Sequence, residues 1–129
     1  MAESKEPKVT GIGGIFFFSD SPKDTKEWYA KNLGFEVNEW GAVSFDYKKV
    51  NTEEVVPLQW SLFKKGDEYF APSKKEFMIN YTVQNIEGLV EKLKANGVTV
   101  VDEIVTYDFG KFVHIMDAEG NKIELWEPS

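Results

Sequence analysis

The chain has no cysteine and no arginine, and His114 is the only histidine in its 129 residues. Without cysteine, disulfides, thiolate nucleophiles and cysteine metal sites are excluded. All fifteen basic residues are lysine, so the planar fork that grips carboxylates and phosphates bidentately is missing, which argues against tight recognition of a multiply anionic ligand. No apolar run approaches the ~20 residues that span a membrane. The start "MAESKEPK" carries no apolar signal core, so a cytoplasmic address is the expectation and a membrane is not an expected partner. A basic stripe is also lacking: Lys48 with Lys49, Lys64 with Lys65 and Lys74 with Lys75 are isolated pairs near glutamates, and the formal charge is -7. Nucleic acid is therefore not an expected partner.

Apolar material is abundant. Hydrophobic residues make 42% of the chain and aromatics 15%, too much for a disordered segment. A chain of this length forms one domain that buries roughly two-thirds of its unfolded surface.

The segment "KVTGIGGIFFFSD" is strand-like and ends in the polar cluster "SDSP", after which a helix is predicted. Ser21 caps it, Pro22 suits its first turn, Asp24 completes a box-like start, and Trp28, Tyr29 and Leu33 give an apolar face before Gly34 stops it. The runs "FEVNEW", "AVSFDYKKV" and "EVVPLQWSLF" read as three strands. "KKGDEYFAPSKK" has the glycine, proline and charge of a connection. The order then repeats: "FMINYTVQ" as strand, Asn85 as cap of a helix carrying Ile86, Leu89, Val90 and Leu93, and "VTVVDEIV", "YDFGKFVHIM" and "KIELWEP" as strands. The turn "DAEGN" joins the last two, with glycine and asparagine able to take positive φ. "LGFEV" matches "NGVTV", Gly34 to Gly97 and Val37 to Val100, both offset by 63 residues. The prediction is an α+β fold of two tandem βαβββ modules, module one over about 8–63, a linker over about 64–75 and module two over about 76–127, within a single domain over 1–129. One module leaves a sheet face bare, so the two curved mixed sheets pack together around a cleft.

This pattern resembles the vicinal-oxygen-chelate superfamily of glyoxalase, bleomycin-resistance proteins and extradiol dioxygenases. The residues that carry the likeness are "SPKDTKEWYAKNLGFEV", similar to the superfamily's first helix, and "DAEGNKIELWEP", similar to its closing "DPxGNxIEL". In the metal-dependent members the resemblance implies one ligand position on the first and one on the last strand of each module. These fall on Gly14 and Gln59 in module one and on Met78 and Glu124 in module two. Glycine has no side chain and a thioether prefers soft metals, so no tightly bound cofactor is expected, and a divalent metal would rest on Glu124 and Gln59 alone. His114 is the one imidazole that could step in as a ligand or act as a general base without metal. Its plainer reading is a strand residue whose ring nitrogens are satisfied by neighbours.

Strand alternation sets Ile12, Gly14, Phe16 and Phe18 on one face, with Pro57, Gln59, Ser61 and Phe63, then Met78, Asn80 and Thr82, then Glu124 and Trp126 on theirs. In the superfamily's orientation these faces line the cleft. The ligand-binding set is then Phe16, Phe18, Gln59, Ser61, Asn80 and Trp126, and Glu124 is a polar anchor rather than an exposed glutamate paired with Lys122. An acidic, arginine-free, aromatic cleft suits a neutral or cationic small molecule. Two functions follow from the resemblance: a bleomycin-resistance-like protein that sequesters or senses such a ligand, and a glyoxalase-like lyase or isomerase using Glu124 as metal ligand or base. The resemblance also implies a homodimer.

Overall fold

The computed structural model describes residues 5–48 and 53–129. Module one contributes β1 (Lys8–Ser19), α1 (Pro22–Leu33), β2 (Val43–Lys48) and β3 (Val55–Lys64). Module two contributes β4 (Phe77–Gln84), α2 (Ile86–Ala95), β5 (Val105–Tyr107), β6 (Gly110–Met116) and β7 (Lys122–Pro128). The connection carries one short 3-10 turn, Glu68–Phe70.

The two expected sheets are one. Among the described residues seven strands run in the order β2-β3-β1-β4-β7-β6-β5. Within each module the first strand lies parallel to the last, β1 beside β3 and β4 beside β7, and the modules join through the antiparallel pair β1 and β4. Both helices cover one face. Tyr29 of α1 and Phe35 just beyond it pack on Trp60, with Val43 and Leu62 beneath. Ile86, Leu89 and Val90 of α2 pack on Val83, Val113 and Leu125. On this face the described residues form two apolar clusters, one per module.

The helix ends follow their residues, with one exception. Gly34 closes α1 in the left-handed region at φ 73°, where glycine has no steric cost. Asn85 caps α2 by accepting the Gly88 N–H at 3.1 Å. Ser21 makes no side-chain capping bond. Instead Ser19 Oγ accepts the Ser21 N–H at 3.2 Å and pairs with Thr25 Oγ1 at 2.8 Å.

Three expected strands differ. "FEVNEW" is a loop, because Asn38 Oδ1 accepts the N–H groups of Trp40 and Ala42 and turns the chain there. "VTVVDEIV" is not a continuous strand: it meets β6 at a bridge from Val100 to Ile115, and its last residue, Val105, opens β5 opposite Phe112. Between them the Asp102 carboxylate takes the His114 N–H at 2.7 Å and substitutes for a ladder carbonyl. "YDFGKFVHIM" is split by a turn after Tyr107, with Gly110 at φ 132° opening β6. Positions 49 and 50 of "AVSFDYKKV" lie outside the described residues.

Candidate functional site

On the face away from the helices, the strand register lines up one polar row across the sheet. Ser44 pairs with Gln59, Gln59 with Gly14, Gly14 with Asn80, Asn80 with Glu124, and Glu124 with His114. Met78 is one pair further along, opposite Phe16, and fully buried. Asn80 therefore stands level with Gly14 and Glu124, at the place on β4 that the resemblance assigned to Met78. Ile12 leaves this face altogether: the bulge between Ile12 and Gly14 pairs it with Tyr81 instead.

Glu124 is 5% exposed, and a buried carboxylate needs donors. It has three. Tyr69 donates its phenol hydrogen to Oε2 at 2.5 Å, Asn80 Nδ2 donates to Oε1 at 2.7 Å, and His114 Nε2 lies 2.8 Å from Oε2. The other ring nitrogen of His114, Nδ1, lies 2.6 Å from Asp102 Oδ2. An imidazole facing a carboxylate at each nitrogen donates to both only when protonated. Burial disfavours that charged form, but the hydrogen bonds to Glu124 and Asp102 outweigh it and hold the His114 pKa above the usual histidine value. Burial alone would likewise raise Glu124, yet the donors His114, Tyr69 and Asn80 bring it below the ordinary glutamate value. Burial, reinforced by the neighbouring Glu124 charge, pushes the Tyr69 phenol far up, so it stays a donor.

Tyr69 and Phe70 reach this face from the connection. Phe70 is 1% exposed and stacks on Phe18 with ring centroids 4.5 Å apart, while Tyr69 stacks on Phe63 at 5.6 Å. Lys122, 7% exposed, donates to the Tyr69 carbonyl at 2.5 Å and holds the segment down. Burial lowers its pKa. Neither aromatic was singled out from sequence; two adjacent rings inside an otherwise charged connection were the available signal. Asp102 gave no signal, since its partner lies 12 residues on.

A cavity of about 390 Å³ opens onto the Glu124 and His114 side chains. Its walls are Tyr69, Tyr107, Phe109 and Phe112, with Val105 and Asp102 at the side. Tyr107 and Phe109 are stacked, and Phe112 lies flat on Trp126 at 5.7 Å. Of the residues predicted from sequence, Glu124 and His114 are on this wall. Asn80 sits behind Glu124, Phe18 is covered by Phe70, and Gln59 bonds Ser44 Oγ at 3.2 Å. Phe16 packs edgewise on Phe63, opposite Ser61 in the strand register. Trp126 belongs to a second cavity, of about 630 Å³, that runs past Thr10, Pro57 and Thr82.

The metal ligands that the fold family implies do not fit this row. Gly14 offers no ligand, and a Cβ there would lie 2.6 Å from Phe16 Cζ and 3.2 Å from Asn80 Cβ. Both Glu124 oxygens already accept hydrogen bonds. Among the described residues no three His, Asp or Glu side chains converge as a metal site; Asp102, His114 and Glu124 form a line.

The structure is similar to methylmalonyl-CoA epimerase from Mycobacterium tuberculosis, at 23% identity and a TM-score of 0.57 over 100% of this chain and 93% of that one. A variant of Streptomyces coelicolor methylmalonyl-CoA epimerase in complex with 2-nitronate-propionyl-CoA matches at 20% identity and a TM-score of 0.65, covering 95% and 99%. A hypothetical protein from Bacillus halodurans matches at 19% and 0.61, covering 97% and 96%. No curated protein matches the sequence. The model of the Glyoxalase/Bleomycin resistance protein/Dioxygenase superfamily matches residues 11–125, and the chain belongs to that superfamily.

Proposed function

We propose that the protein binds a flat, neutral or cationic small molecule in the aromatic cavity and moves a proton on it, an isomerase-type activity centred on Glu124 and His114. The observation that carries this reading is the Glu124, His114 and Asp102 line opening into a cavity walled by four aromatic rings. Perturbed titratable groups in a cavity mark candidate sites of proton transfer, and the raised His114 pKa moves toward the range that general acid chemistry uses. An ionised carboxylate has about four acceptor positions, three of which are filled here, leaving one on Oε1 to take a proton from an acidic C–H. The His114 imidazolium stands beside it to stabilise the resulting charge.

Two of the three structural neighbours named above are epimerases, enzymes that invert a stereocentre, which fits proton transfer as the reaction class. Their coenzyme A ligands do not carry over. A chain of net charge -7 with no arginine is poorly suited to hold a multiply phosphorylated group.

The test is exchange of substrate hydrogen with solvent. The protein is incubated in D2O with a panel of neutral and cationic aryl ketones and aryl amino ketones, and loss of the α C–H signal is followed by NMR. Catalysed exchange that vanishes in Glu124→Gln while binding persists supports the reading. Binding with no exchange in the native chain overturns it and leaves the second reading, a sequestering or sensing protein. What favours that second reading is the near-saturation of Glu124 by its own neighbours.

A further inference from the structure

The aromatic cavity and the larger cavity beyond it lie on the same face of the sheet, and Phe109 is the one described residue that lines both. We propose that the two cavities are halves of one site, and that its ligand is an aromatic head joined to a non-anionic tail rich in hydrogen-bond donors. The inference rests on the small-molecule reading above and adds to it the shape and chemistry of the molecule.

The partition is a side chain on a pinned backbone. The Trp126 indole N–H donates to the Phe109 carbonyl at 2.9 Å, which fixes the turn between β5 and β6. Phe109 is 59% exposed, its ring stacked on Tyr107 at 5.3 Å and edge-on to Phe112 at 5.6 Å. Such a ring moves between staggered rotamers without disturbing the strands. The two spaces then become continuous along the Trp126 side of β7.

The second cavity defines the tail. Thr10 and Thr82 share one hydrogen bond between their hydroxyls at 3.1 Å, which leaves each oxygen further lone pairs. Carboxylates of Glu54, Glu87 and Glu127 stand on the same wall with one lysine, Lys5; Glu87 is ion-paired with Lys111 and Glu127 accepts the Ile86 N–H at 2.6 Å, and both keep further acceptor positions. Acceptors outnumber donors, so hydroxyls or amines on the tail are matched and an anionic tail is repelled. Each cavity is within the ~300–1,000 Å³ span of small-molecule sites, so the head and the tail each have room.

The experiment uses the full chain and three probes that share a ring: phenol, phenyl β-glucoside and phenyl β-glucuronide, the last differing from the glucoside by a carboxylate. Backbone amide NMR titrations read both place and affinity. The expected result is that phenol shifts Phe112 and His114. The glucoside should shift these together with Thr10, Thr82 and Gln84 and bind roughly tenfold tighter, a gain the glucuronide loses. Thr82→Val, which removes the hydroxyl at nearly constant volume, lowers glucoside affinity and leaves that of phenol unchanged. A glucoside that binds no tighter than phenol and shifts only the head residues overturns the joined site. A glucuronide as tight as the glucoside overturns the tail chemistry. If phenol fails to shift Phe112 and His114 at all, the small-molecule reading of the aromatic cavity fails, and this inference fails with it.

Discussion

Tyr69 and Glu124 are 55 residues apart, on the connection between the modules and on the last strand, and they share a 2.5 Å hydrogen bond. The connection is thereby tied to the candidate site. Tyr69→Phe removes that donor from a buried carboxylate. Because Tyr69 is 41% exposed, the cost is at the lower end for a bond to a charged group, about 1.5 kcal/mol. Urea denaturation measures it, and a rise in the Glu124 pKa, followed by carboxyl carbon NMR, is the specific signature.

Stability depends on pH through the same group of residues, in opposite senses at the two ends. The His114 pKa is raised in the folded state. Its contribution is therefore complete below the unfolded value of about 6.5 and is lost as pH rises through the folded value. The Glu124 pKa is lowered. Its contribution is complete above the unfolded value of about 4.3 and is lost as pH falls through the folded value. Thermal melts should peak between those two unfolded values. Asp102→Asn should flatten the alkaline limb and move the titration of the sole histidine, read by NMR, toward its ordinary value.

Gly13→Ala tests the close approach at the seam. An added Cβ would lie 2.4 Å from Asn80 Oδ1 and 2.9 Å from both Thr82 Cγ2 and Trp126 Cε3. Overpacking of this kind costs roughly 1–3 kcal/mol. Beyond the loss measured by chemical denaturation, the displaced Asn80 should loosen Glu124 and shift the His114 ring resonances.

Phe70→Ala removes the anchor of the connection. A buried phenylalanine truncated to alanine costs about 3–5 kcal/mol. Faster hydrogen exchange at Tyr69 and Ala71 than at Met78 would show that the segment detaches before the sheet opens. Equal exchange would mean that the connection and the sheet open together.

Titration with nickel, zinc and manganese addresses the donor row directly. Calorimetry is expected to give no micromolar binding, because Gly14 supplies no ligand and Glu124 is already bonded. About one ion per chain, lost in Glu124→Ala, would reverse this reading.

The duplicated order of elements and the sidedness of the strands were legible in the sequence, because alternation along β3, β4 and β7 is regular. The predicted face containing Phe16, Asn80 and Glu124 is the face observed. The helix starts at Pro22 and Ile86 and the stop at Gly34 were also legible, from local chemistry. Side chains that capture backbone groups were not. Asn38 and Asp102 each take N–H groups that a strand would have used, and that competition leaves no trace in hydrophobic pattern. The site was legible in part for the same reason: Glu124 stands out between Ile123 and Leu125, whereas Asp102 and Tyr69 acquire meaning only when the sheet brings His114 and Glu124 to them.

The polar row is addressed by main-chain hydrogen bonds rather than by its side chains. Each of its six positions can therefore change residue while the strand ladder keeps its level in the sheet. One position is obstructed: the Phe16 ring occupies the space above Gly14. Any lineage that acquired a side chain at Gly14 would have had to shrink or turn Phe16. A turn of the ring is enough, so a side chain at Gly14 requires Phe16 to move but not to be replaced.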